Sequence, residues 1–110
     1  MTEELELKKK LEKVLKQFGV WYYYPSERMF SDRRYPEMIA TFKGRFFAFE
    51  FHPKYETSDC VSWDCLKDIK KTGAEAFIVR DETIKDIKKR FSQLQNENQH
   101  DELVSKFNYQ

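Results

Sequence analysis

At 110 residues the chain is long enough for one hydrophobic core and too short for two. Its 40% hydrophobic content suits a small globular domain, and its 35% charged content keeps such a domain in solution. A net charge of only +1 excludes bulk electrostatic attraction to nucleic acid, so any phosphate contact has to come from a local patch.

The charge is uneven. Residues 96–110 carry Glu97, Asp101 and Glu102 against Lys106, a balance of −2, which leaves +3 for residues 1–95. Cys60 and Cys65 form no CxxC, and no His or Cys cluster surrounds them, so they read as idle thiols in a reducing cytosol and not as zinc ligands. No apolar run is long enough to span a bilayer, and no N-terminal apolar segment precedes a cleavage site. The expected location is the cytoplasm, with no membrane partner.

In chain order, Leu7, Leu11, Val14, Leu15 and Phe18 recur at helical spacing and Gly19 stops them. The lysines among them, Lys8 to Lys10, Lys13 and Lys16, read as the solvated face. "VWYYY" (20–24) is β-branched and aromatic, hence a strand, and Pro25 ends it. A polar loop follows with Arg28, Arg33 and Arg34, closed by Pro36. "MIATF" (38–42) and "RFFAFEF" (45–51) flank Lys43-Gly44, a two-residue link that predicts a tight hairpin. The second strand is apolar on both faces until Glu50, the pattern of a central strand covered on both sides.

Val61, Cys65, Leu66 and Ile69 give a helical stripe stopped by Gly73, and "EAFIV" (75–79) reads as another buried strand. Strand, helix and strand from 45 to 79 leave room for a crossover to a parallel neighbour. Ile84, Ile87, Phe91 and Leu94 define a last amphipathic helix with Asp81 as its cap. The expected fold is α/β, a mixed sheet with helices on its faces in the order α-β-β-β-α-β-α. It forms one domain over residues 1–95, followed by a polar tail or short accessory helix over 96–110.

The chemistry gathers at one strand end. Glu50 and His52 alternate onto the same face at the end of the most hydrophobic strand. With a two-residue turn at Lys43-Gly44, residues whose numbers sum to 87 oppose one another, which sets Glu37 across from Glu50. Opposed carboxylates repel unless a cation lies between them, and two carboxylates with water suit Mg²⁺ or Mn²⁺. Strand-end carboxylates also occur with no function, so register alone does not settle the matter.

The run "SDRRYPEMIATFKGRFFAFEFHPK", followed by a helix ending in "KKTGAEAFIVRD", resembles the VRR-NUC family of PD-(D/E)xK nucleases. Phage members of that family are often taken to be Holliday-junction resolvase-like. The resemblance covers residues 6 to 92 and implies a restriction-endonuclease-like αβββαβ core with an extra C-terminal helix. It also implies metal-dependent hydrolysis of DNA, branched or duplex, with Mg²⁺ or Mn²⁺ held by Glu37 and Glu50. Carried across, the family's helix-1 Glu falls on Glu6, the Asp of "PD" on Glu37, and the Glu and Lys of "ExK" on Glu50 and His52. The family's Gln falls on Ser62.

Three of these letters depart from the family. A Glu in place of Asp sets the carboxylate one bond further out, ~1.5 Å, and misplacements near 1 Å can cost about a hundredfold in rate. Histidine has a reference pKa of ~6.5 and carries little charge at pH 7, where lysine is fully charged. Serine is too short to reach where glutamine does. Lys54, on the same face, and Lys43 in the hairpin turn are the candidates to stand in for the missing lysine, although Pro53 ends the strand before Lys54.

Arg28, Arg33, Arg34, Lys43 and Lys54 are expected around the same end of the sheet as phosphate contacts, or else as a solvated basic surface. Tyr22, Tyr23 and Tyr24 have the composition to stack bases, although alternately buried aromatics in a strand more often serve packing. Trp63 falls one residue off its helix stripe, beside the expected site, and suggests a partner surface. Three functions follow. The chain is a metal-dependent nuclease with an altered site, a nuclease fold that binds DNA without cutting it, or a small phage-type inhibitor that binds a protein through Trp63 and the aromatic strand. A resolvase also implies a homodimer, since a four-way junction needs two symmetric cuts.

Overall fold

The computed structural model describes the backbone of residues 3–25, 36–52 and 61–108, with side chains over 3–25, 36–52 and 64–97. Helix α1 (Glu3–Phe18) leads into strand β1 (Trp21–Tyr23), followed by β2 (Met38–Phe42) and β3 (Arg45–Phe51). Helix α2 (Val61–Lys71), strand β4 (Glu75–Val79) and helix α3 (Asp81–Asn108) complete the order. The fold is α/β: a four-stranded mixed sheet in the order β1-β2-β3-β4, with three helices.

Each local element follows from its residues. Helix α1 turns Leu7, Leu11, Val14 and Leu15 to the core. It closes where Gly19 takes φ +72, a left-handed conformation that costs glycine nothing. The Val20 N–H then reaches the Leu15 carbonyl at 2.9 Å and the Gly19 N–H the Lys16 carbonyl at 3.2 Å. Those two bonds satisfy helix-end carbonyls in the pattern of a Schellman cap, and Val20 is buried beside them. In the β2–β3 turn, Lys43 and Gly44 have φ 53 and 80, the pair of positive values that a type I′ hairpin turn requires.

That turn fixes the register. Met38 faces Phe49, Ala40 faces Phe47 and Phe42 faces Arg45, each pair summing to 87 as expected. β1 adds antiparallel to β2, and β4 adds parallel to β3, with Phe49 beside Phe77 and Glu50 beside Ile78. Alternation then divides the sheet into two faces. Phe47, Phe49 and Phe51 join Met38, Ala40 and Phe42 on the face covered by α1 and α3. Phe91 of α3 is the hub of that core, 4.8 Å from the ring of Phe47, 5.3 Å from Phe42 and 5.8 Å from Phe18. The other face carries Phe46, Ala48 and Glu50, with α2 packed on the β3–β4 side of it.

Three details differ from the sequence reading. β4 is an edge strand, half-buried except for Val79, because no further strand or helix covers its outer side among the described residues. Asp81 is not a cap: its carboxylate lies 2.6 Å from the Lys10 ammonium on α1. The turn into α3 is held by the Thr83 hydroxyl, which accepts the Arg80 N–H at 2.8 Å. Finally, α3 does not end near residue 95 but runs on to Asn108 as one helix. The stretch "QNENQHDELVSKFN" holds no Gly or Pro, and Gln, Glu, Leu and Lys continue a helix at little cost.

Candidate functional site

The carboxyl end of β3 is where the chemistry converges. Glu50 is the one polar or charged side chain that is fully buried among the described residues. It stands on the α2 face of the central strand, next to Ile78 of β4. His52 follows directly after β3, half-buried, and its backbone N–H continues the parallel ladder to the Val79 carbonyl at 3.1 Å. Burying a carboxylate costs several kcal/mol of lost hydration even when it is compensated. A chain selected only for packing would place an apolar residue at such a position.

Glu37 precedes β2, and the β2–β3 register brings its backbone opposite Glu50. Its side chain, however, goes elsewhere. One carboxylate oxygen accepts the Phe51 N–H at 3.0 Å, at the level where β2 no longer supplies a ladder carbonyl. The other lies 3.9 Å from the Lys8 ammonium of α1. Lys8 itself sits over the rings of Tyr24 (5.5 Å) and Phe51 (5.7 Å), and 3.8 Å from Glu4. Glu37 is therefore turned toward α1, while strand alternation sends Glu50 to the opposite face.

This arrangement does not fit a divalent ion shared by the two carboxylates. Among the described residues no group of three His, Cys, Asp or Glu side chains is placed to hold a metal. Glu6 is exposed on α1. Lys43 lies at the wrong end of the sheet to replace the missing lysine. The turn precedes Arg45, and five residue steps of strand at about 3.3 Å each separate Arg45 from Glu50. Arg28, Arg33, Arg34 and Lys54 fall outside the described residues, and Ser62 and Trp63 lie in the first turn of α2 with side chains outside them.

No family model, curated protein or solved structure matches the chain.

The site must then be read from its own geometry. Beside Glu37, a cleft of about 460 Å³ opens between α1 and the end of β1, lined by Leu5, Lys8, Lys9, Glu12, Tyr24 and Pro25 as well as Glu37. The Tyr24 hydroxyl donates to Glu12 at 2.6 Å across its floor. Burial, and then that bond to a carboxylate, push the phenol well above its usual range, so Tyr24 stays protonated at any physiological pH. Tyr24 and Glu12 hold the first strand to the first helix. Lys8 was not singled out in the sequence, because one lysine in a Lys-rich helix face carries no signal of its own. No helix of the described residues is long and apolar enough to cross a membrane.

A stability test separates the structural role of Glu37 from a catalytic one. Glu37→Ala leaves the Phe51 N–H without its acceptor and is expected to cost about 1–3 kcal/mol, read as a lower urea midpoint with unchanged slope. Glu37→Gln keeps an acceptor oxygen and should lose less than half as much. Equal losses in the two variants would show that the bond to Phe51 contributes nothing.

Proposed function

We propose that the chain is a PD-(D/E)xK-type nuclease-like protein that acts on DNA, binding it at the β3 end without cutting it because Glu37 is diverted from Glu50. The observation that supports this reading is that the backbone positions of Glu37, Glu50 and His52 meet at the carboxyl end of the central strand in an α-β-β-β-α-β order, with the Glu50 side chain buried there. In open α/β sheets ligands bind at that end of the strands. In sequence, Arg33 and Arg34 lead into Glu37, and Lys54 follows His52 by two residues. They, with Arg28, are the cations from which phosphate contacts are drawn.

In such folds a divalent ion held by two acidic groups supplies an activated water at neutral pH. The carboxylates as placed here do not hold one jointly, so binding without cutting is the primary reading. Glu50 favours a second. Its full burial at the strand end is costly for a residue with no task, and suits a chain whose hydrolysis is weak and not lost.

The deciding experiment incubates the chain with branched and duplex DNA in Mn²⁺, Mg²⁺ or chelator. Binding in chelator without cleavage in either metal is the expected result. Affinity should fall with salt at a log–log slope of about −3, for roughly three phosphates at ~0.9 each. Reversing charge at Arg33 and Arg34 together should weaken binding at least tenfold, whereas reversal on the α1 lysines should not. Cleavage in Mn²⁺ that disappears in Glu50→Gln would establish the second reading, and failure to bind any DNA would remove both.

A further inference from the structure

Among the described residues, no element covers the sheet face that carries Glu50 over its first two strands. There Trp21 and Tyr23 of β1 are 59% and 50% exposed. Their rings are stacked within 11° of parallel, with centroids 6.2 Å apart. Cross-strand pairing extends this pair inward, Trp21 to Thr41 to Phe46 in one row and Tyr23 to Ile39 to Ala48 in the next. Phe46 is also exposed, at 36%. Ala48 and Glu50, the next residues of β3 on this face, are fully buried, so the exposed aromatic surface is that of Trp21, Tyr23 and Phe46.

We propose that Trp21, Tyr23 and Phe46 form a stacking platform for the bases of single-stranded DNA, with Lys43 at its rim. The inference rests on the DNA reading above and specifies the form of DNA. Duplex DNA offers phosphates and base edges to a protein surface, whereas only an unwound strand offers ring faces. A base slotted between two parallel rings needs about 6.8 Å, twice the ~3.4 Å base rise. Trp21 and Tyr23 come within about 0.6 Å of that spacing. Their exposure leaves them room to open.

Charge argues for the same occupant. From Gly19 to Pro25 and from Met38 to Phe49 the charged residues are Lys43 and Arg45, of which Arg45 belongs to the opposite face and lies 3.8 Å from Glu75, leaving Lys43. Lys43 is exposed in the turn next to the Trp21–Thr41–Phe46 row. It is too far from Glu50 to serve catalysis, and its ammonium lies 6.0 Å from the ring of Phe42 at the end of the sheet that the platform shares. An acidic or neutral rim would have suited a protein partner better than a polyanion.

The test compares an oligothymidine of about 16 nucleotides, within the span of known single-strand sites, with a blunt duplex of equal length, both in chelator. Full-length chain should bind the single strand at least tenfold more tightly, by anisotropy of a labelled oligonucleotide. In Trp63→Phe, Trp21 is the remaining tryptophan of two, and its fluorescence should be quenched by the single strand. Trp21→Ala with Tyr23→Ala should lower single-strand affinity about thirtyfold or more, at 1–3 kcal/mol per stacked base. Duplex affinity and melting temperature should stay close to the parent's. Equal affinity for the two DNA forms, or an unaffected double variant, overturns the platform and leaves the DNA reading standing. Failure to bind either form overturns both. Self-association abolished by the same two substitutions, with DNA binding unchanged, would assign the face to a second copy of the chain and overturn the proposal.

Discussion

The variant Glu37→Asp with His52→Lys is expected to cut DNA in Mn²⁺ at a rate at least a hundredfold above the uncatalysed background at which the parent chain stays. Two separate physical changes combine in it. Asp is one bond shorter, ~1.5 Å, and from position 37 it no longer reaches the Phe51 N–H and Lys8 at once. Its carboxylate is thereby released toward the hairpin partner, Glu50. Lysine at 52 returns a permanent positive charge to the strand end, where charge develops on a phosphate under attack. Positioned electrostatic groups of this kind are worth about 10²–10³ in rate.

The two substitutions act on one cluster, so their effects should not multiply as independent ones do. Glu37→Asp alone should gain little, because it releases a carboxylate without supplying the cation. His52→Lys alone should gain more in DNA affinity than in rate. Glu50→Gln in the double variant is the control, since it keeps the shape of a buried side chain and removes its charge. Cleavage that depends on Mn²⁺ and on Glu50 would show that the strand end retains catalytic geometry. A folded double variant that binds DNA and cuts none, whether branched, duplex or single-stranded, would show that the scaffold serves binding alone.

The sequence disclosed most of what depends on local rules. Lys43-Gly44 between two apolar runs could only be a hairpin of one register, and the structure has that register to the residue. The strands at 38–42, 45–51 and 75–79 also fall where the β-branched and aromatic runs lie. What failed depended on tertiary placement. Glu37 lies just outside the ladder, so strand alternation does not govern it, and a backbone N–H left open by the end of β2 captures it instead. Lys43 could have been excluded from the site by the register alone, because a hairpin turn and the far end of its second strand cannot meet. The edge position of β4 came from sheet order, which a short apolar run does not encode. The polar stretch from residue 96 suits a tail or a short accessory helix equally by composition, and α3 runs through it because none of its residues breaks a helix.

The second large effect concerns the scaffold that holds the strand end in place. Phe91→Ala is expected to cost about 3–5 kcal/mol, the range for emptying a buried phenylalanine site. Phe91 is fully buried, and its ring meets Phe18 of α1, Phe42 of β2 and Phe47 of β3. One side chain thus ties both helices of this face to the two central strands. Each aromatic pair adds about 0.5–1.5 kcal/mol beyond the area it buries, so the loss belongs near the top of the range. In a domain of this length about 4 kcal/mol corresponds to a fall of roughly 15–20 °C in melting temperature. Phe91→Leu should recover more than half of it by refilling the space. Trp21→Ala, made at an exposed ring, should shift the melting temperature by no more than about 2 °C, within the ±0.5 kcal/mol usual for surface sites. Phe47 and Glu50 lie on opposite faces of β3, so the cavity left by Phe91→Ala loosens the strand from behind the site. Below its lowered melting point the variant should therefore still bind DNA, with weaker affinity that recovers in Phe91→Leu in step with stability. A fall of less than 5 °C in Phe91→Ala would show that this cluster is not what fastens α1 and α3 to the sheet.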